Sequence, residues 1–275
     1  MGKESIYSRE RKDIDVSVVV VVYNQPHSAS LILRSLLSQT YEGYKEIIFT
    51  DDGSNIKVFQ QLQPEFEKAQ IPVRYIWQQD RGIRPAPARN SGIQLSRGKY
   101  LLFLDGDMVP ALDLVEKHMH NHTQNKVMVA GNRRWRGPID ESLFNSIDGL
   151  PVDITIKKLE EDWPLDEASQ KREFVERSRR KEWLQSTNPW RACISGNLSV
   201  PNNPEVRFDE NYVGYGNEDW ELSYRLYTHH NYIPIYDDNI SAYHLESAIS
   251  NVFRTGKHGD IVEHMRNILY FFDKC

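Results

Sequence analysis

Up to residue 107, four apolar runs, each closed by a polar cluster, alternate with stretches of helical spacing, and this alternation most restricts what the chain can fold into. The runs are VSVVVVVYN (16–24), YKEIIFTDDGS (44–54), VRYIWQQ (73–79) and KYLLFLDGD (99–107). A continuous β-branched run without polar alternation is expected of a strand covered on both faces. SASLILRSLLSQ (28–39), VFQQLQPEFEKAQ (58–70) and PAPARNSGIQLSRG (85–98) read as the intervening helices. Ser28 or Ser30 is expected to cap the first, and Gly98 to close the third. Strands and helices alternating at this pitch predict βαβ units in a mostly parallel sheet flanked by helices, an α/β fold of Rossmann-like kind. Ligands of such sheets bind at the carboxyl ends of the strands. The polar clusters fall there: Tyr23-Asn24, Asp51-Asp52-Gly53-Ser54, Gln79-Asp80 and Asp105-Gly106-Asp107.

Beyond Asp107 the pattern loosens. ALDLVEKHMHNH (111–122) reads as helix, KVMVAGN (126–132) as strand, and 157–184 as a charged helical insertion presenting a solvated face. ACISGNLSVP (192–201) returns to strand, and 218–231 is helical with acids in its first turn. No repeat or Gly/Pro/Ser-rich linker interrupts the chain, which predicts one domain over 1–275. With 39% hydrophobic residues there is ample core material, and a net charge of -5 argues against a nucleic-acid partner. The start MGKESIYSRERKDID has no apolar core of a secretory signal, and the longest aliphatic run, Val18 to Val22, is far too short to span a bilayer. Two cysteines, Cys193 and Cys275, make no disulfide framework and fit a reduced, cytoplasmic setting. The end, DIVEHMRNILYFFDKC, is amphipathic and is expected to pack on the domain. Peripheral contact with the inner face of a membrane, or with a partner, is the alternative. Nothing indicates an oligomeric state.

Asp105 and Asp107 are separated only by Gly106, and two carboxylates this close repel each other. Residues i and i+2 of an extended segment face one side. The pair is therefore expected to converge on one divalent cation, which also accepts diphosphate oxygens, while Gly106 lets the ligand approach. A turn whose acids merely cap the next helix is the plainer alternative. In GYGNEDWELSYRL (214–226), glycines lead into Glu218 and Asp219 at a helix N-terminus, where the dipole keeps a carboxylate ionised and able to act as a base; a simple helix cap reads the same way. His244, after the short strand IPIY (233–236), would complete a mixed N/O site suited to Mn²⁺, although a lone histidine is more often structural. NRRWRGP (132–138) offers Arg133, Arg134 and Arg136 to an anionic acceptor with Trp135 stacking on a sugar, or else is an exposed strand edge.

In this order, VSVVVVVYN, TDDGSN, QQDRG, APARNSGI, DGDMVP and GYGNEDWELSYRL resemble glycosyltransferase family 2, whose fold is GT-A. From about Ser195 to His244 the chain is similar to the galactosyltransferase-type module of bacterial chondroitin polymerases and animal β-1,4-galactosyltransferases. The likeness covers about 15–132, the nucleotide-sugar-binding half, and 192–246. It implies an acceptor-binding and catalytic half over 133–246 carrying the insertion 139–190, with a tail at 247–275. It further implies an inverting hexosyl or N-acetylhexosaminyl transfer from a UDP-sugar donor to a glycan, lipid-linked glycan or peptide acceptor, with Mn²⁺ or Mg²⁺. By the same likeness, Tyr23, Asn24, Asp52 and Asp80 meet the nucleoside and Arg89 the donor. Asp105 holds ribose or metal-bound water, Asp107 and His244 ligate the metal, Tyr215 is a sugar platform, Asp219 is the base, and Glu218 binds hydroxyls. The chain departs from the pattern in lacking a proline before Tyr23, and in Asn217, which leaves donor-sugar selectivity open. Rival readings fare worse. A sugar-phosphate nucleotidyltransferase would carry a Gly-rich loop with a following arginine, and a dinucleotide-dependent oxidoreductase a GxGxxG, where YNQPHS has no glycine. A non-catalytic sugar-binding relative would have no need of Asp107 and Asp219.

Overall fold

In the computed structural model, residues 13–136, 141–147, 149–162, 167–245 and 258–275 are described. The charged start at 1–12 and part of the 139–190 and 247–275 segments lie outside these. The first four strands, β1 (Val16–Val22), β2 (Lys45–Asp51), β3 (Val73–Trp77) and β4 (Tyr100–Asp105), run parallel in the order β3-β2-β1-β4. Their register aligns Val22 with Asp51, Val21 with Asp105 and Asp51 with Trp77, so the polar ends share one edge.

Alternate residues of β4 feed different cores. Leu102 and Leu104 join the cluster beneath α1 (Pro26–Leu37) and α2 (Lys57–Lys68); Leu101 and Phe103 join the one containing Ala86 and Ile93 of α3 (Pro85–Leu95). Burial on both faces is why these runs lack polar alternation. Two helix ends differ from expectation. Gln25, not Ser28 or Ser30, precedes the first turn of α1, because Pro26 already has the φ of a helix start. α3 stops at Leu95. Gly98 lies beyond it against β1, where a Cβ would come within 2.5 Å of Ser17 N.

The sheet continues through β5 (Met108–Pro110), β6 (Val127–Arg136), β7 (Asn197–Pro201) and β8 (Ile233–Leu245), giving the full order β3-β2-β1-β4-β7-β6-β8-β5. Parallel pairing holds for β1–β2, β1–β4, β2–β3 and β6–β8, antiparallel pairing for β4–β7, β6–β7 and β5–β8, so the sheet is mostly parallel as expected. β5 and the length of β8 were not foreseen. β8 runs past IPIY to Leu245, and its register with β6 shifts between Gly131 and Asn132, re-aiming both strands. The 192–201 stretch is strand only from Asn197, a 3₁₀ turn occupying Pro189–Ala192.

The remaining helices are α4 (Leu114–His120), α5 (Glu141–Ile147), α6 (Val152–Lys157) with a π-helical turn at Lys158–Asp162, α7 (Glu167–Leu184), α8 (Glu218–His230) and α9 (His258–Lys274). The insertion is not a solvated face throughout. Arg180 of α7 is buried, and Glu173 and Glu176 turn inward onto β6. α9 packs on the domain as expected: Phe271 is buried in the second core, and Lys274 pairs with Asp209 and Glu221. Cys193 is a buried apolar filler whose thiol burial pushes up to about 12, while Cys275 is exposed. Among the described residues, no helix is long and apolar enough to cross a membrane.

Candidate functional site

At the end of β1 and β2, the phenol of Tyr23 donates to Asp80 Oδ2 at 3.2 Å and Asn24 N donates to Ser54 Oγ at 2.7 Å. Asn24 adopts φ 52°, and Gly53 φ 99° with Asp80 Cα packed where a side chain would stand. Asp51 does not face a ligand: its Oδ1 caps Gly53 N and Ser54 N and its other oxygen takes the Tyr75 hydroxyl. Asp52 is buried and accepts from Gln78 Nε2 at 2.5 Å and Arg84 N at 2.6 Å, tying β2 to the loop before α3; burial raises its carboxyl. Tyr23, Asn24, Asp52 and Asp80 thus form one cluster beside the parallel strands.

The Asp105/Asp107 pair is resolved differently from the expectation that both turn to one ion. β4 ends at Asp105 and the chain turns at Gly106, so the two are not i and i+2 of an extended segment. Asp105 Oδ1 accepts from Arg89 Nη2 at 2.8 Å, while Asp107 Oδ2 lies 3.3 Å from His244 Nε2. The close approach at Gly106 is to the chain itself: a Cβ would meet Val21 O at 2.5 Å. β5 delivers His244, since Met108 pairs with His244 and Leu245 N donates to Asp107 O at 2.8 Å. On its other side His244 pairs with Trp135 of β6, their rings 4.2 Å apart. Burial opposes ionisation of Asp107, but His244, and after it Arg133, outweigh it and hold the carboxyl below its usual range.

Arg89 is not a helix-surface ion pair. Its side chain is buried, and besides Asp105 it donates Nη1 to Glu218 Oε1 at 2.9 Å, joining α3 and β4 to the start of α8. That start is built by three left-handed residues, Gly214 (φ 86°), Gly216 (φ 90°) and Asn217 (φ 75°), two of them glycines for which this conformation is unstrained. Beside Glu218, the half-buried Asp219 caps Trp220 N at 2.8 Å. Desolvation first, then Glu218 and Asp105, push its carboxyl up to about 7 against the pull of Arg89. Tyr215 stands exposed at the rim.

Of the twelve buried side-chain polar atoms without a hydrogen-bond partner among the described residues, six converge here: Arg89 Nε, Asp107 Oδ1, Arg133 Nε, Asn217 Nδ2, Glu218 Oε2 and His244 Nδ1. Buried polar groups are nearly always paired, so such a concentration calls for partners from outside the chain: water, an ion or a polar ligand. No group of three His, Cys, Asp or Glu among the described residues is placed to hold a metal. Asp107 and His244 bring one oxygen and one nitrogen donor together at 3.3 Å, a pair of the kind a borderline divalent cation accepts.

Sequence reasoning missed two supports. Asn267 of α9, buried, lies 3.1 Å from Val213 O, 3.3 Å from Tyr215 O and 3.1 Å from Gly216 O, bracing the loop before α8. Glu176 of α7 accepts from Arg180 Nη2 at 2.6 Å and Trp135 Nε1 at 2.9 Å, and cations acting against its burial lower its carboxyl to about 2. Only the acidic side of the insertion hinted at it. The 132–136 stretch is neither an exposed edge nor an open platform: it pairs with β8 alone, since pairing with β7 is limited to Val129 and Ala130, and α7 covers it, with Arg134 and Arg136 facing Glu173 at 3.4 and 3.5 Å and Arg172 over Trp135 at 4.4 Å. Gly137 and Pro138 lie outside the described residues.

Residues 17–177 match the family model described as glycosyl transferase family 2. A hyaluronan synthase of Pasteurella multocida is 28% identical over 86% of this chain and 25% of its own length. A chondroitin synthase of Escherichia coli is 28% identical over 80% of this chain and 33% of its own. The chain thus spans a third or less of these relatives. Among solved structures, the mannosyltransferase PcManGT of Pyrobaculum calidifontis, in complex with GDP-Man and Mn²⁺, superposes with TM-score 0.59 at 13% identity over 94% of this chain and 65% of that one. S. aureus TarS 1–349 in complex with UDP-GlcNAc gives 0.54 at 14% identity over 85% of this chain and 59% of that one. These likenesses show the GT-A fold.

Proposed function

The chain belongs to glycosyl transferase family 2, and on that footing we propose that it transfers a hexose or N-acetylhexosamine from a UDP-sugar to an acceptor nucleophile with inversion, Asp219 acting as general base. The observation that carries this is the half-buried Asp219 carboxyl, raised to about 7 at the N-terminus of α8 and grouped with the unpartnered polar atoms of Arg89, Asp107, Glu218 and His244. A base is most effective with a pKa near the working pH.

In this reading one domain carries the nucleotide-sugar half over about 15–132 and the acceptor half over 133–246. Tyr23, Asn24, Asp52 and Asp80 hold the nucleoside, their cluster lying beside the strand ends of β1 and β2. Asp107 and His244 hold Mn²⁺ or Mg²⁺, and Asp105, kept in place by Arg89, faces the ribose or a water of that ion. Bound there, a divalent cation offsets charge developing on the leaving diphosphate. Glu218 and Tyr215 receive hydroxyls and the face of a sugar. Asp219 takes the acceptor proton as the nucleophile attacks the anomeric carbon from the face opposite the diphosphate. The acceptor nucleophile belongs to a glycan, a lipid-linked glycan or a peptide.

Thermal melting with UDP, UDP-sugars and GDP-mannose, each with and without Mn²⁺, tests the donor site. A ligand that binds the native state raises Tm by mass action. A Mn²⁺-dependent rise with UDP is expected, and Asp107→Ala should abolish the metal dependence. A rise with GDP-mannose alone would overturn the UDP reading.

A further inference from the structure

We propose that Arg133 binds an oxyanion of the donor, either the β-phosphate or the carboxylate of a uronosyl group, so that the sugar nucleotide is held by a guanidinium from β6 as well as by the strand-end residues. The proposal deepens the donor-site reading above and rests on it.

Three arginines leave β6 in close succession, and two are spent within the protein. Arg134 reaches Glu173 at 3.4 Å and Glu160 at 3.6 Å. Arg136 is buried, donating to Trp135 O at 2.8 Å and to Leu159 O, and lying 3.5 Å from Glu173. Strand alternation sends Arg133 the other way. Its Nε is buried without a hydrogen-bond partner, and its ion pair with Glu176 is 3.9 Å long, beyond hydrogen-bonding range. Glu176 is engaged at shorter range by Arg180 and Trp135.

The groups around Arg133 place it within the site. Besides Glu176, it feels the charges of Asp105, Tyr215 and Asp107. A Cβ on Gly196 would stand 2.5 Å from Asp105 Oδ2 and 3.0 Å from Arg133 Nη2, so the bare glycine backbone leaves these two side chains their room. Arg133 therefore lies close to Asp105 across Gly196 and within electrostatic reach of Asp107, where the diphosphate is read to lie, and of Tyr215, where the sugar is read to lie. A planar guanidinium with donors to spare matches the two-oxygen edge of a phosphate or a carboxylate. A nucleotide sugar offers the first in every case and the second when the sugar is a uronate.

The test is calorimetric titration of UDP, UDP-N-acetylglucosamine and UDP-glucuronate with Mn²⁺ into the wild type, Arg133→Lys and Arg133→Gln, with melting curves of each protein alone. Loss of a charge-assisted contact should weaken binding about tenfold to a hundredfold in Arg133→Gln, and less in Arg133→Lys, which keeps the charge but not the fork. A loss shared by all three ligands identifies the β-phosphate; a loss confined to UDP-glucuronate identifies a uronate carboxylate. Should Arg133→Gln fail to fold, Arg133→Lys decides by the same comparison. Affinities equal to wild type for all three ligands, whatever the change in Tm, would assign Arg133 to Glu176 and overturn the proposal. A wild type that binds none of the three would overturn the donor-site reading itself, and this assignment with it.

Discussion

Asp219 and Arg89 are the two residues on which the site turns, for opposite reasons. Asp219 has its carboxyl lifted to about 7 by desolvation and by Glu218, so near neutral pH it is divided between its two forms. Only the deprotonated form can take a proton, so kcat/KM should fall as pH drops through about 7. Asp219→Asn should lower kcat by about 10²–10⁴-fold while UDP binding with Mn²⁺ stays intact. Rate profiles and binding titrations of the two proteins check this, and unchanged turnover would remove Asp219 from the chemistry. Arg89 is a clamp, with one donor on Asp105 and one on Glu218. Arg89→Met would leave both carboxylates without their cation. Breaking a buried ion pair from one side costs about 3–5 kcal/mol, and the partly exposed Asp105 puts this case near the lower end. Urea unfolding measures it, with Arg89→Lys expected in between because an ammonium cannot serve both partners in the same fork geometry.

Among the elements, what was legible in the sequence follows from how local each signal is. β1, β2 and β4 are buried strands with apolar centres, and α1 to α3 bury one side, so their existence and their polar ends could be read within short windows. β5 has three residues and exists because β8, more than a hundred positions later, pairs with it. The partners of Asp105 and Asp107 were misread for the same reason: local spacing suggested convergence, and distant Arg89 and His244 draw the two carboxylates apart. Strand alternation parts Arg133 from Arg134 and Arg136, but that the latter two are taken up by Glu173 depends on the packing of the distant α7. α9 was read as an amphipathic helix packed on the domain, but its amphipathicity says nothing of Asn267 and the three carbonyls it faces. Asn267→Ala should therefore loosen residues 213–217. Faster amide exchange at Gly216 and Glu218, together with lower kcat at near-constant UDP affinity, is the expected outcome. Exchange confined to α9 itself would mean that the helix does not brace the loop.

Across the whole molecule, two sets of titrating groups bend the stability curve in opposite directions. His118 of α4 lies between Ser199 and Asn197 at 2.9 and 2.8 Å, and His122 reaches the same Ser199 hydroxyl at 2.8 Å. Asn197 Nδ2 faces Asn132 O and Ile240 O, which leaves its Oδ1 to accept from His118 Nε2; Ser199 can then donate to Nδ1 and accept from His122. The Ser199 bond needs the His118 Nδ1 free to accept, and protonating His122 would place an N–H on its buried, unpartnered Nδ1; burial holds their pKa values at about 4 and 3 against 6.5 in an open chain. Below pH 6.5 the unfolded state therefore binds protons that the folded state refuses, and stability falls as pH drops toward 4. Asp219 works the other way. Its folded carboxyl keeps a proton up to about 7 and an unperturbed one loses it near 3.8, so its contribution falls as pH rises between those values. Asp219→Asn removes the second effect and leaves the first. Its Tm should match wild type near pH 4, rise above it through pH 7 and hold that lead at pH 8, with the histidine-driven acid loss steeper than in wild type. Melting of both proteins across this range measures the gap. A gap that did not widen with pH would mean that the carboxyl is not raised, and would take away the burial effect on which the proposed role of Asp219 as a base near neutral pH rests.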